Sequence, residues 1–379
     1  MQKSKKKRSF FNTDGKMDIT FLSLVLILLT IGLIMLFSAS YAFSYQNYNN
    51  SYRFISRQLI FAVLGVAAML FISRIDFHFY RKFAWIFYFI ILGMLGFLLA
   101  VPPMLEGMDV KRWLVVGPIN FQPSELAKFA VILLLSSLIA ANFKLMEKFG
   151  FVAFIIGLVA VPCALIVSEP HLSATIVVFL IGIVLLICGG LAKKYIVGGV
   201  AIGAAGVATL VLSGAIGYAS DRFQYWLDPW LDPTGKGFQT IQSLLAIGSG
   251  GIWGRGIGQS RQKHLWVPEP HNDFIFSIVC EELGLIGAMV IIILFCLLVW
   301  RGFTIAMKAS DKFGSLMAIG LTFQVGLQAL LNIWVVTNTI PNTGISLPFF
   351  SYGGTSLLIL LAEMGIVLSI SRTSNLEKT

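Results

Sequence analysis

Apolar stretches of about 20 residues without a charged side chain recur along this chain, the length that crosses about 30 Å of hydrocarbon. Ile19–Ser38 is the first of them. In lipid such a stretch must pair its backbone polar groups internally, so each one is a helix. A soluble core is excluded by the same balance: 57% of the residues are hydrophobic, 12% are charged, and the mean hydropathy is +0.85. The apolar pattern gives ten segments, at about 19–42, 57–73, 83–102, 124–141, 151–168, 172–190, 195–218, 274–300, 313–337 and 353–371. The expected fold is an all-α polytopic membrane protein of about ten transmembrane helices, with a large extracytoplasmic loop between helices 7 and 8.

The net charge of +10 does not point to nucleic acid, because the bases are dispersed between apolar segments. They report orientation instead. With ten spans, 18 of the 28 Lys and Arg lie on the side of the termini and 9 on the other, 5 of those in one long loop. Both termini are therefore expected in the cytoplasm. Loops 103–123, 219–273 and 338–352 then face outwards. Residues 1–17, with six bases by Lys16, read as a cytoplasmic arm near anionic lipid, 18–372 as the membrane domain and 373–379 as a tail. Ile19–Ser38 is longer than a signal-peptide core and is read as retained. Tyr41–Asn50, with three Tyr and three Asn, reads as an interfacial loop. Cys163, Cys188, Cys280 and Cys296 lie inside apolar segments without metal-ligand spacing.

Polar residues gather in one place, Gly254–Gly284, which runs into the eighth apolar segment. Asp273 stands where that loop enters the bilayer, and a carboxylate there needs a partner or a task. Pro268 and Pro270 stiffen the approach. Upstream, the loop carries Trp226, Trp230, Trp253 and Trp266, a repeat-like WLDPWLDP at 226–233, and Thr240–Ile247 as a short surface helix. The glycines from Gly248 to Gly258 fit either a phosphate-cradling loop or a flexible connector; no strand precedes them, so a nucleotide fold is excluded.

Other charges sit at membrane depth. Ser124 reads as the cap of a helix start, and Glu125 and Lys128 share a face one turn in. Glu169, Pro170 and His171 form an external corner, where a lone His reads as structural. Glu281, Glu282 and Glu363 lie within apolar segments and must turn inwards. Asn338–Ser356, with Pro341, Gly344, Pro348, Gly353 and Gly354, fits either a wall over the site or a rigid re-entrant turn. From these residues alone, a transporter and a lipid-modifying enzyme both fit.

Four runs in order carry a resemblance: RW and FQPSELAK within 112–128, LDPWLDPTGKGFQTIQSLLAIGSGG at 227–251, PEPHNDFIFSIVCEELG at 268–284 and GISLPFFSYGGTS at 344–356. The chain resembles the SEDS family of shape, elongation, division and sporulation proteins, and is more similar to its FtsW and SpoVE branch than to RodA. The resemblance implies a peptidoglycan glycosyltransferase acting on the outer face of the cytoplasmic membrane in division or sporulation. Its substrate would be lipid II, a disaccharide-pentapeptide on undecaprenyl pyrophosphate. A class B penicillin-binding protein and other divisome proteins would be its partners. The family's essential aspartate falls on Asp273, implied to be the general base of an inverting transfer. Arg112, Lys128, Arg255, Lys263, Glu269 and His271 are the expected pyrophosphate and substrate contacts, and Glu125, Glu281, Glu282 and Ser351 the inner polar set. Whether a divalent cation, Mg or Mn, joins them at Asp273 or Glu269 is left open. Where many relatives carry a base before the FQPSE run this chain has Asn120, and where many have an acidic corner residue it has His171. A lipid II flippase and a non-catalytic divisome scaffold are the rival readings; the flippase wants polar residues along both halves of the bundle, whereas the charges concentrate in the outer half.

Overall fold

The computed structural model describes residues 15–102, 112–117, 119–192, 194–195, 224–263 and 269–374. Its principal α-helices are α1 Ile19–Tyr48, α2 Arg53–Ile72, α3 His78–Arg81, α4 Ala84–Ala100, α5 Pro123–Ala141, α6 Phe149–Ser168, α7 Leu172–Cys188, α8 Phe238–Gly250, α9 Ile275–Met307, α10 Lys312–Val336 and α11 Gly354–Thr373. Between α4 and α5 lies an antiparallel hairpin, β1 Leu114–Val116 and β2 Ile119–Phe121, with Leu114 opposite Phe121. Seven of the helices are long and apolar enough to cross a membrane, and α4 and α7 are shorter apolar helices. These nine match nine of the ten expected spans. The remaining one, 195–218, lies beyond Tyr195 outside the described residues, as do residues 1–14 of the basic arm and 375–379 of the tail.

Local chemistry sets the helix ends. Asp18 caps α1 by accepting from Phe21 N at 2.8 Å, and Asp311 caps α10 by accepting from Gly314 N at 3.0 Å. Asn49, in the left-handed region at φ 51°, ends α1. The expected interfacial loop at Tyr41–Asn50 is therefore helix as far as Tyr48. Its tyrosines explain why: Tyr41, Tyr45 and Tyr48 follow helical spacing on the exposed face, while Ser40 and Ser44 turn inwards and are buried. Pro123 takes the first position of α5, where its missing N–H costs nothing. Ser124, expected to cap that helix, makes no cap; Gln122 precedes the helix and Ser124 points elsewhere, as described below.

Helices α5, α10 and α11 have the most buried apolar faces, with α7, α9 and α2 packed around them. Leu59, Ile60, Val63 and Leu64 of α2, and Met289, Val290 and Ile293 of α9, are exposed, which suits a lipid-facing surface. The end that holds the termini is tied by Arg301 on Asp18 at 2.8 Å and by His78 held between Asp76 (2.6 Å) and Asp311 (2.9 Å).

Helix α9 is not continuous. Gly284, at φ 68° and ψ −170°, breaks it two turns below its start. The break frees backbone groups at membrane depth, and the glycine loop before it takes them up. Arg255 N and Gly256 N donate to Glu281 O and Glu282 O at 3.0 and 2.9 Å, while Leu285 N and Ile286 N donate to Gly251 O and Ile252 O at 2.9 and 3.2 Å. The two backbones are so close that a Cβ on Gly254 would lie 2.3 Å from Glu282 O. Further along, Ser260 Oγ, Arg261 N and Gln262 N bind the Glu281 carboxylate at 2.5, 2.9 and 3.3 Å. Glu282 accepts from Ser38 at 2.7 Å and from Lys263 Nζ at 3.0 Å. The loop thus cradles two anions of its own chain. This makes it a built structural element rather than a free connector. Helix α8, expected as a surface helix, buries Thr240, Ile241, Ser243 and Ala246 and packs on α9.

Candidate active site

A cavity of about 790 Å³ opens at the end of the bundle away from the termini, the size of a pocket for a bulky small ligand. Its walls come from the β hairpin, the starts of α5 and α7, the segment before α9, loop 344–353, the start of α11 and α2. Asp273 stands on one side. Its backbone carbonyl accepts from Asn332 Nδ2 at 2.7 Å, and the same nitrogen reaches Ile345 O at 2.7 Å. Around it, Ser351 Oγ donates to Asn272 O and accepts from Leu347 N, each at 2.8 Å, and Tyr352 N donates to His271 O at 2.8 Å. Gln58 closes the set, donating to Ser351 O at 3.3 Å and accepting from Gly353 N at 3.2 Å. The segment 271–273 is therefore laced to 344–353, and of the two readings of that loop the cavity wall is the one observed.

The Asp273 side chain is partly buried and lines the cavity. Gly344, at φ 69°, allows the close approach: a Cβ there would sit 3.3 Å from Asp273 Oδ2. Burial, helped by neighbouring Glu269, pushes its pKa up to about 6, against the pull of Arg112. Glu269 lines the same cavity and accepts from Asn272 Nδ2 at 2.8 Å.

Cations and neutral polar groups occupy other parts of the lining. Arg112 donates from Nε to Glu169 O at 3.4 Å and from Nη2 to Pro170 O, so the α6–α7 corner aims its guanidinium. Lys128 is 1% exposed, and its Nζ pairs with Glu125 Oε2 at 2.8 Å. One turn into α5, it brings a positive charge to the cavity floor. His171, read from the sequence as structural, lines this cavity too. Burial, then Arg112 and Lys128, push its pKa down to about 3. Glu169 is buried with both carboxylate oxygens unpartnered, and burial lifts its pKa to about 8 against the pull of Arg112.

Three expected contacts lie elsewhere. Lys263 pairs with Glu282, and Arg255 sits 3.6 Å from Glu281 and donates to Ser249 O at 3.2 Å. Neither lines the cavity, because the break in α9 needs their loop. His271 is packed among Phe43, Phe54 and Tyr352, with ring centroids at 4.9, 4.3 and 5.9 Å. Its burial pushes its pKa down to about 4, so it stays neutral and holds the wall together.

Residues 19–376 match the family model of the cell cycle proteins FtsW, RodA and SpoVE. The chain belongs to that family. It is 40% identical to stage V sporulation protein E of Bacillus subtilis over 94% of this chain and 97% of the relative. It is 38% identical to a probable peptidoglycan glycosyltransferase FtsW of Geobacter metallireducens, over 93% of this chain and 94% of the relative. Among solved structures, it resembles a chain of a peptidoglycan synthase complex that coordinates polymerization and crosslinking, at 29% identity and a TM-score of 0.78 over 94% of this chain and 98% of that one. The crystal structure of the rod shape determining protein RodA of Thermus thermophilus is similar at 25% identity and a TM-score of 0.70, over 95% and 98%. The SEDS resemblance read from the four motifs is thus the family found.

In this member of the family, no cluster of three or more His, Cys, Asp or Glu stands ready for a metal among the described residues. Glu269 and Asp273 are the carboxylates beside each other at the cavity, and an ion held by them would take the rest of its oxygen shell from substrate and water. Sequence reasoning overlooked Asn332 and Gln58. Asn332 left a signal: an amide inside an apolar membrane helix seeks partners on its neighbours.

Proposed function

We propose that this chain is a peptidoglycan glycosyltransferase that polymerises lipid II on the outer face of the cytoplasmic membrane, with Asp273 as general base. The observation that carries this reading is the pairing, in one cavity, of a carboxylate raised to about 6 with the cations Arg112 and Lys128. The Asp273 carboxylate takes the proton from the 4-hydroxyl of the acceptor GlcNAc. That oxygen attacks the anomeric carbon of the donor MurNAc as the bond to the diphosphate breaks, and the leaving anion departs towards Arg112 and Lys128. Because attack and departure lie on opposite faces, an α-linked donor gives a β-linked product without a covalent carboxylate intermediate. The base supplies about 10²–10⁴-fold and the cations a comparable share through charge stabilisation.

The distribution of bases supports an outward-facing site, where no nucleotide is present and the donor must arrive already activated. The likeness to a chain of a peptidoglycan synthase complex supports a penicillin-binding protein of class B as partner, within a division or sporulation assembly. A divalent ion at Glu269 and Asp273 would share the diphosphate charge. A flippase needs a polar route through the bundle, yet between Gln324 and the far end the buried polar groups are uncharged hydroxyls, Ser136, Thr322 and Ser369, set among the apolar Ile132, Leu135, Met317 and Leu321.

The test is polymerisation of fluorescent lipid II by purified protein with its cognate penicillin-binding protein. Glycan chains are expected from the wild type and none from folded Asp273→Asn. Equal polymer from both removes Asp273 from the mechanism, and none from either returns the flippase and scaffold readings.

A further inference from the structure

His171 sits at the α6–α7 corner with its two ring nitrogens in different surroundings. Nδ1 lies 3.3 Å from Gln122 Nε2 and 3.3 Å from Ser124 Oγ. An amide nitrogen only donates, so Nδ1 accepts and the ring proton is on Nε2. Nε2 has no partner in the protein among the described residues and is not sealed within it, while the residue lines the cavity. The Nε2–H therefore faces the cavity as a donor. Burial and the nearby Arg112 and Lys128 keep the ring neutral.

From this geometry we propose that His171 is a substrate contact, donating its neutral Nε2–H to a diphosphate oxygen of the donor lipid. The assignment rests on the reading above, in which the leaving diphosphate is held by Arg112 and Lys128. A diphosphate oxygen only accepts, so it matches an edge that only donates. A sugar hydroxyl, which both donates and accepts, would use only half of what it offers there. The contact is also particular to this side chain: a carboxylate at position 171 would present acceptors to an anion and repel it.

The imidazole's two edges allow its packing role and its contact role to be separated. His171→Asn keeps an oxygen where Nδ1 accepts from Gln122 and Ser124 but withdraws the outer donor. His171→Gln places an amide N–H near the Nε2 position. The probe is undecaprenyl diphosphate in detergent micelles, its binding read from tryptophan fluorescence, with Trp113 in the same cavity wall. The expected result is about 10-fold weaker binding for His171→Asn, the loss of one hydrogen bond to a charged group, with unchanged thermal unfolding. His171→Gln is expected within about 3-fold of wild type, the geometric allowance for a shifted donor. Undecaprenol, which lacks the diphosphate, is expected to bind all three proteins alike.

Unchanged diphosphate affinity in His171→Asn overturns the contact, as does equal weakening in both variants with a lowered unfolding temperature. Failure of the wild type to bind the diphosphate overturns it too. If the binding pattern is as expected but the wild type makes no polymer with its partner, the contact stands and the glycosyltransferase reading falls.

Discussion

Asn332 holds the backbone of Asp273 from α10, donating Nδ2 to its carbonyl at 2.7 Å. Because the same nitrogen bonds Ile345 O, one fully buried amide fixes both the carboxylate's segment and the loop facing it. Asn332→Leu leaves two carbonyls unpaired, at about 1–3 kcal/mol for each buried group. The sharper expected effect is on rate. A displacement of about 1 Å at a reacting group costs on the order of 100-fold, so polymerisation should fall well beyond the fraction of protein unfolded. Initial rates measured beside thermal unfolding in detergent decide it; a rate that merely tracks the folded fraction removes the positioning role.

The pKa of Asp273 sets the sign of two pH effects. A general base works ionised, so the rate is expected to rise with pH, reach half its plateau near about 6 and stay flat above. Stability runs the other way. The folded pKa lies above the ordinary 3.8, so this residue favours folding below about 4, and that contribution is lost as pH rises through about 6. At neutral pH the ionised carboxylate is therefore a cost, and Asp273→Asn should stabilise the inactive protein by about 1 kcal/mol after allowing for water in the cavity. Unfolding temperatures of both proteins at acid and neutral pH check this: the gain of the variant should vanish on acidification.

Much of this was legible in residues whose environment is set by composition. A charge-free stretch of membrane length has one stable backbone form, so nine spans could be read, seven of them within a few residues of their ends, while α1 and α9 run six and seven residues further than expected. Asp273, Glu125 and Lys128 were legible because a charge at membrane depth demands an explanation from sequence alone. Arg255 and Lys263 lie away from the cavity for a physical reason. Their partners, Glu281 and Glu282, lie 26 and 19 residues further on, and only the break at Gly284 brings the two segments together. A cation in a polar loop looks the same whether its anion is a substrate or a buried glutamate. That His171 lines the cavity was equally hidden, since one imidazole carries no sequence mark of which edge meets a cavity.

The Lys263–Glu282 pair predicts a stability effect with little to do with chemistry. Both side chains are almost fully buried and sit 3.0 Å apart, with Ser38 of α1 bonded to each. Lys263→Met strands a buried carboxylate, expected to cost about 3–5 kcal/mol. Adding Glu282→Gln removes the stranded charge and should restore more than half of the loss. Chemical denaturation of the two variants and the wild type measures this; a double variant no better than the single would show that the pair does not act as a unit.

The most severe single change is expected at Gly254, outside the cavity. Its φ of 80° is costly for any residue with a Cβ, and a Cβ would lie 2.3 Å from Glu282 O and 2.6 Å from Gly284 N, both backbone atoms that cannot swing aside. Gly254→Ala must therefore push the loop out of the break in α9. That strands the carbonyls of Glu281 and Glu282 and the amides of Leu285 and Ile286 in a region without water. Four such groups at about 1–3 kcal/mol each are comparable with the whole stability of a domain. The variant should accumulate poorly in the membrane, and hydrogen exchange of residues 281–286 should be fast in whatever is recovered. A control at Gly258, which has φ 83° but open space around a built Cβ, should lose only the conformational term of about 1–2 kcal/mol. If the two substitutions cost the same, the loop is held by its dihedral angles alone, and its insertion into α9 is not what keeps the helix broken.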